Sequence, residues 1–223
     1  ALQECHSTAL LSLDIQSAYD RVWHKGLIRK LATLGVPPSL LAWLLAFLSD
    51  RRAHVRVRGA VCTRSLTLGV PQGSPLSPIL FLVFVGDLLS RLQQVEGTSA
   101  AGFADDLNVW WHITRLHSAE ATNIEVSSVV ETWGKEWQQI FNPSKCKLLV
   151  VSNTTVATPV LSLSGVPLTC EPHLRCLGVW IDSKLSWEVH INHVCQRAIT
   201  RLHMIQRGVA TTWGFHPTIV RRL

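Results

Sequence analysis

Two adjacent carboxylates, Asp105 and Asp106, sit between two apolar, β-prone stretches, residues 98–103 and 107–111. The pattern predicts a tight β-hairpin with both acids at its turn. Neighbouring like charges on a largely apolar hairpin are unfavourable unless a cation lies against them. A structural turn needs only one Asp or Asn and prefers Gly beside it. The second carboxylate therefore asks for a divalent metal ion; a solvated turn is the plainer alternative. A third acid, Asp14, ends the apolar run that begins at Thr8 and reads as a buried strand.

The elements around these acids set how they meet. Helices are expected at Lys25–Leu34 and Ser39–Ser49, separated by Gly35, Pro37 and Pro38. Residues 53–58 alternate with period two, and Gly59-Ala60 is read as turning them into a second strand over Val61–Leu68. Gly69 to Gly73 form a loop, and Ser74 or Pro75 starts an apolar helix running to about Gln94. An amphipathic helix over Ser118–Ile140 follows the acidic hairpin. Strands are expected at Lys147–Ser152, Val160–Leu163, Pro167–Thr169 and Leu174–Ile181, then a helix over Trp187–Arg207.

The resulting order, strand–(insert)–helix–strand–strand–helix–strand, is an α/β (α+β) arrangement with a ferredoxin-like split βαβ sheet. In it the end of the first strand lies beside the central hairpin, so Asp14 is expected to face Asp105 and Asp106. Three converging carboxylates suit two divalent ions roughly 3.5–4 Å apart, which activate an attacking hydroxyl and stabilise a departing phosphate. Oxygen-only ligands favour Mg²⁺ or Mn²⁺ over zinc.

Composition narrows the partners. With 47% hydrophobic and 16% charged residues, the 223-residue chain should be mostly folded, as one large domain or two small ones. A net charge of +6 and pI near 9.3 suit a polyanion. The six cysteines contain no CxxC pair, which fits free thiols in a reducing compartment better than a disulfide framework. The Cys170, His173, Cys176 and His190, His193, Cys195 groups lack paired zinc spacing. The most apolar run, Leu76–Leu89, contains Pro78 and Asp87 and reads as too short to cross a bilayer. No membrane partner is expected.

Leu13–Val22, Gly69–Phe81 and Phe103–Asp106 resemble motifs A, B and C of the reverse transcriptases of non-LTR (LINE-type) retrotransposons. Ser49–Val57 resembles the fingers strand between motifs A and B, Asn142–Cys146 motif D, and Leu177–Asp182 motif E, the primer grip. The resemblance extends from residue 11 to about 190. It implies a polymerase palm over 1–23 and 70–182, a fingers segment over 24–69 and the helical start of a thumb over 183–223. It also implies an N-terminal fingers region and further polyprotein segments that this chain lacks.

The implied activity is RNA-directed DNA synthesis, with RNA template, DNA primer and dNTP as partners, inside cells and by family resemblance in the nucleus. Asp14, Asp105 and Asp106 correspond to the catalytic metal-binding acids, with the Ile15 carbonyl as a further ligand. Tyr19 falls at the steric gate against a ribose 2′-hydroxyl, although a core role for this single tyrosine reads equally well from the residues alone. Gln72 and Gly73 form the motif B turn, where close backbone approach would call for Gly, and Phe103 opens motif C; these three and Tyr19 are the nucleotide-binding candidates. Lys145 matches the motif D proton donor to pyrophosphate, with Lys147 as the neighbouring choice. Leu177 and Gly178 would brace the primer end. Arg197, Arg201, Arg207, Arg221 and Arg222 are candidate phosphate contacts or a solvated face. A catalytically inactive nucleic-acid-binding remnant is the alternative. An RNA-templated RNA polymerase, which shares the palm, fits less well with Tyr19 and with Ala104 before the acid pair.

Overall fold

Alternation writes the central strand. Ser7, Ala9, Leu11 and Leu13 of β1 (Ser7–Leu13) are buried on one face, while the residues between them are half-buried on the other. In the computed structural model, which describes residues 7–113, 119–154 and 159–208, β1 lies inside a four-stranded sheet. The other strands are β4 (Thr98–Phe103), β5 (Asp106–Ile113) and β6 (Lys147–Val151), in the order β4-β5-β1-β6 with every pair antiparallel, so β1 lies between β5 and β6. α3 (Leu76–Gln94) precedes β4 and α4 (Ala119–Trp137) joins β5 to β6. This is the split βαβ arrangement the element order predicts.

The segment between β1 and α3 holds α1 (His24–Thr33), α2 (Pro38–Leu48) and a ribbon of β2 (Arg51–Val57) and β3 (Ala60–Leu66). The ribbon turns at Arg58-Gly59, whose φ values are +48° and +88°, one residue earlier than expected. Two left-handed residues in sequence give the twist a two-residue hairpin needs, and Ala60 already pairs with Val57. Downstream lie β7 (Ser162–Leu163) paired with β8 (Val166–Pro167), then β9 (His173–Cys176), β10 (Val179–Asp182) and α5 (Glu188–Gly208). The expected single strand over Leu174–Ile181 is a hairpin: Leu177 and Gly178, at φ +47° and +91°, fold β10 back onto β9. A leucine in the left-handed region gave no turn signal within an apolar run.

The core sits between the sheet and the helices. Leu11, Leu13, Leu107 and Leu148 from the sheet meet Phe81, Phe84 and Leu88 of α3 and Trp133 of α4, all 2% exposed or less. Each such side chain contributes roughly 1.5–3 kcal/mol. Leu149 and Val151 cluster with Leu174 apart from the main core, with Leu10 and Ile181 packed against them, which fixes the β9–β10 hairpin beside the sheet. At 19 residues α3 is long and apolar enough to cross a bilayer, contrary to the shorter run expected, and it is here the helix whose Leu80, Phe81, Phe84, Val85, Leu88 and Leu92 fill the core. Pro78 lies in its first turn, where no backbone donor is lost.

Lys30 of α1 is buried against this core. Its Nζ lies 3.8–4.9 Å from the ring centroids of Trp137, Phe84 and Trp133 and pairs with Asp87, which also accepts from Trp133 Nε1 at 2.9 Å. Burial pushes the ammonium down to about 8, against the opposing pull of Asp87. Lysine in an open chain titrates near 10.5, so the unfolded chain holds this proton more tightly. Stability from this group is full above that pH, declines as pH falls towards 8 and levels off below. Between pH 8 and 10 the protein should therefore gain about 2 kcal/mol over its Lys30→Met variant in urea unfolding; parallel curves would contradict the burial argument.

Candidate functional site

The β1–β5 register assembles the site. Leu13 pairs with Leu107, so Asp14 lies one step beyond on β1 and Asp105 and Asp106 immediately precede the partner. Phe103 pairs with Asp106, leaving Ala104 and Asp105 as the two-residue turn. The structure thus separates the acids expected together at the turn: Asp105 occupies it, and Asp106 opens β5. Ala104 stands at φ +54°, a left-handed conformation that costs an L-residue about 1 kcal/mol.

Asp14 and Asp105 line one open cavity of about 470 Å³ together with Ile15, Tyr19, Asp20, Gln72, Asn142 and Lys145. The carboxylate of Asp14 faces Lys145 Nζ at 3.9 Å. Its backbone is fixed from the other side, where its carbonyl accepts the Asn142 N–H at 2.9 Å and its N–H donates to Cys146 Sγ at 3.3 Å. Gln16 N–H donates to the Ile140 carbonyl at 2.8 Å. Ile15 bridges Phe141 between these two bonds, a non-hydrogen-bonded position that turns its own carbonyl away from the 140–142 segment. Burial raises the Cys146 thiol above its usual range, so it stays protonated under Asp14.

After Ile15 the chain reverses through Ser17, at φ +51°, into a short 3₁₀ turn, Ala18–Arg21. Tyr19 stacks on Phe81 with ring centroids 4.7 Å apart. Burial, then the nearby Asp105 carboxylate, raise its phenol above the ordinary value. The 69–73 loop docks onto this turn: Val70 N–H donates to the Tyr19 carbonyl at 2.8 Å, Gly69 N–H to the Val22 carbonyl at 2.9 Å, and Gln72 Nε2 to Asp20 Oδ1 at 2.9 Å. Ser77 Oγ donates to the Pro71 carbonyl at 2.5 Å, which gives the Ser77-Pro78 pair its place. The Gly69 carbonyl accepts from His24 Nε2 at 2.8 Å and Arg51 Nη1 at 2.6 Å.

Several expectations need adjustment. The structure brings Asp14, Ile15, Tyr19, Gln72, Asp105 and Lys145 to one cavity. Asp106, Gly73 and Phe103 are not part of its lining, and Phe103 is 67% exposed. Asp106 lies instead near Cys176, whose thiol is raised by burial and then by that carboxylate, so the β9–β10 hairpin carrying Leu177 and Gly178 approaches the acidic turn from the Asp106 side. Within the fold itself, the close backbone approach in this loop is made at Gly69. A Cβ on Gly69 would lie 2.6 Å from the Asp20 carbonyl, whereas Gly73, at φ +85°, meets nothing within 4 Å. Lys147 pairs with Glu171 at 3.3 Å, which leaves Lys145 as the lysine at the cavity.

Asp20 is the residue sequence reasoning missed. It lies six residues after Asp14, and only the folded contact with Gln72 reveals it. Trp180 lies edge-on to both His173 and His193, at 5.2 and 6.1 Å between ring centroids. Arg197 and Arg201 are exposed on α5; Arg221, Arg222 and the Arg207 side chain are outside the described residues.

No group of three or more His, Cys, Asp or Glu side chains stands within reach of a common metal among the described residues. Two carboxylates on one cavity, with Ile15 beside them, nevertheless suit a divalent cation whose coordination is completed by water and substrate phosphates. The donor set fits a hard divalent cation.

Residues 2–181 match the family described as reverse transcriptase (RNA-dependent DNA polymerase). The RNA-directed DNA polymerase from mobile element jockey of Drosophila melanogaster is 33% identical over 195 residues, covering 85% of this chain and 21% of that protein. A probable RNA-directed DNA polymerase from transposon BS of the same species is 30% identical over 201 residues, 87% of this chain and 22% of that protein. The chain therefore spans about a fifth of the length of these relatives. Apo telomerase from Candida tropicalis, truncated from its C-terminal domain, superposes with a TM-score of 0.57 at 13% identity over 82% of this chain and 35% of that one. The likeness extends the fold, a polymerase palm, to solved structures.

Proposed function

The chain belongs to the reverse transcriptase (RNA-dependent DNA polymerase) family, and from that premise we propose that it forms the catalytic palm of an enzyme extending a DNA primer on an RNA template, within a larger retrotransposon polyprotein. The observation that carries this reading is the single cavity shared by Asp14, Tyr19, Gln72, Asp105 and Lys145, contributed by four separate segments of the chain. Enzymes of this family generally use divalent metal ions. Here we assign Mg²⁺ to the carboxylates of Asp14 and Asp105 and the carbonyl of Ile15, with Asp106 as a supporting charge beside them. When bound, such ions lower the pKa of a primer hydroxyl and offset the charge of the triphosphate.

The chain's own residues supply the rest. Lys145, exposed at the mouth and 3.9 Å from Asp14, is free to turn towards a departing pyrophosphate and deliver a proton. Tyr19, pinned by its stack on Phe81, presents its ring as a fixed wall against a ribose 2′-hydroxyl. Gln72, held by Asp20, lines the same wall from the opposite loop. The 177–178 turn supports the primer end from the Asp106 side.

Nucleotide addition with paired dNTP and rNTP substrates tests both levels. In a polypeptide of the relatives' length, the wild type should add dNMP with Mg²⁺ and discriminate against rNMP. Tyr19→Ala should reduce that discrimination by about 10- to 100-fold, the range expected when a pocket loses a steric contact. Absence of any addition by the wild type would overturn the polymerase reading; an unchanged ratio in Tyr19→Ala would overturn the gate alone.

A further inference from the structure

We propose that the β2–β3 ribbon is a phosphate-gripping arm that holds the backbone of a polynucleotide beside the catalytic cavity. It deepens the polymerase reading by naming a surface through which the nucleic acid is held. The first observation is where the charge lies. Of the chain's 21 Lys and Arg against 15 Asp and Glu, residues 51–66 contain five arginines and no acid. Five of the six net positive charges therefore fall on this ribbon, and the rest of the chain is close to neutral. A solvated edge protected against aggregation can use charge of either sign. A single-sign surface of this density is the footprint of a polyanion contact.

The second observation is that these charges are unspent. Arg52, Arg56, Arg58 and Arg64 are exposed, and among the described residues none has a carboxylate within ion-pair distance. Strand alternation puts Arg52 and Arg56 on one face with His54, whose Nδ1 is hydrogen-bonded to Thr63 Oγ1 at 2.8 Å. Arg58 stands at the tip and Arg64 on the other face, opposite Ala53. Arginines on both faces and the tip suit a backbone followed by charge rather than base edges read in register.

The third observation is the anchor. Arg51 turns inward and donates to the Gly69 carbonyl at 2.6 Å, tying the foot of the ribbon to the loop that carries Gln72. A recess of about 310 Å³ at that foot is lined by Ser49, Asp50, Arg51, Arg52, Ser65 and Thr67 among others, a polar hollow in which two arginines stand against one carboxylate. A strand held by the arm would thus run towards the cavity.

The test is equilibrium binding of the 223-residue chain, followed by fluorescence anisotropy in EDTA without dNTP, between 50 and 200 mM NaCl. One labelled probe is single-stranded RNA and the other an RNA–DNA duplex. Substituting Arg52, Arg56, Arg58 and Arg64 together by Gln should weaken binding at least about tenfold and flatten the log K against log salt slope by about 3, near 0.7–0.9 per lost phosphate contact. The same four positions changed to Lys should keep the slope. The probe showing the larger loss identifies the form of polynucleotide held. An unchanged slope in the Gln variant, with its circular dichroism intact, would overturn the arm, as would an equal loss in the Lys variant. Ribbon-dependent binding without nucleotide addition would count against the polymerase reading alone, and addition with ribbon-independent binding against the arm alone.

Discussion

Replacing Asp105 by alanine is expected to lower primer extension by about a thousandfold or more while leaving the fold in place. The carboxylate is exposed at a two-residue turn and accepts no hydrogen bond from the described residues, so its loss should change stability by no more than about 0.5 kcal/mol. Its contribution lies in the cation it holds. Charge stabilisation by a catalytic metal is worth several kcal/mol, and about 4 kcal/mol corresponds to three decades in rate. Asp106 provides the internal comparison. It neighbours Asp105 in sequence but is not part of the cavity lining, so Asp106→Ala should cost clearly less. Rates from primer extension, with melting curves for both variants, check the order. Equal losses would show that the cavity's present lining misstates the ligand set.

The second large effect is on the backbone. Gly69→Ala should destabilise the protein by about 3 kcal/mol or more and abolish extension with it. A Cβ at this position would meet the Asp20 carbonyl oxygen at 2.6 Å, its Cα at 2.7 Å and its carbonyl carbon at 2.8 Å. All three are main-chain atoms, so none can rotate away. The φ of +82° adds roughly 1 kcal/mol for an L-residue, and the clash brings the larger part, of the order seen for overpacking, about 1–3 kcal/mol. Gly73 has the same backbone sign, φ +85°, with open space around it, so Gly73→Ala should lose only about 1 kcal/mol. Urea unfolding of the pair checks the difference; similar losses would mean that conformation alone, and no contact with Asp20, explains Gly69.

The two glycines also show what sequence could and could not reveal. Both stand in one turn-rich segment, and nothing local says which of them touches the 3₁₀ turn some fifty residues earlier. The same applies to Asp20 and Gln72, whose bond exists only once the 69–73 loop is docked. The sheet was different. Apolar alternation in β1 and the order of the elements placed Asp14 beside the acidic hairpin, and the Leu13–Leu107 register agrees. The hairpin divides the two acids, Asp105 in its turn and Asp106 on β5, and the cavity takes Asp105 without Asp106. Leu177-Gly178 escaped because an apolar residue at positive φ carries no turn signature. Lys30 escaped because a lysine in an amphipathic helix reads as solvated until three aromatic rings close around it.

The most direct measurement is single-nucleotide addition to a DNA primer on an RNA template with one programmed base, with Mg²⁺, in a polypeptide of the relatives' length. Wild type should add the complementary dNMP and little else, and both Asp14→Asn and Asp105→Asn should lose that addition. Addition that survives in either variant, or that ignores the template base, would contradict the assignment of this cavity as a template-directed polymerase site.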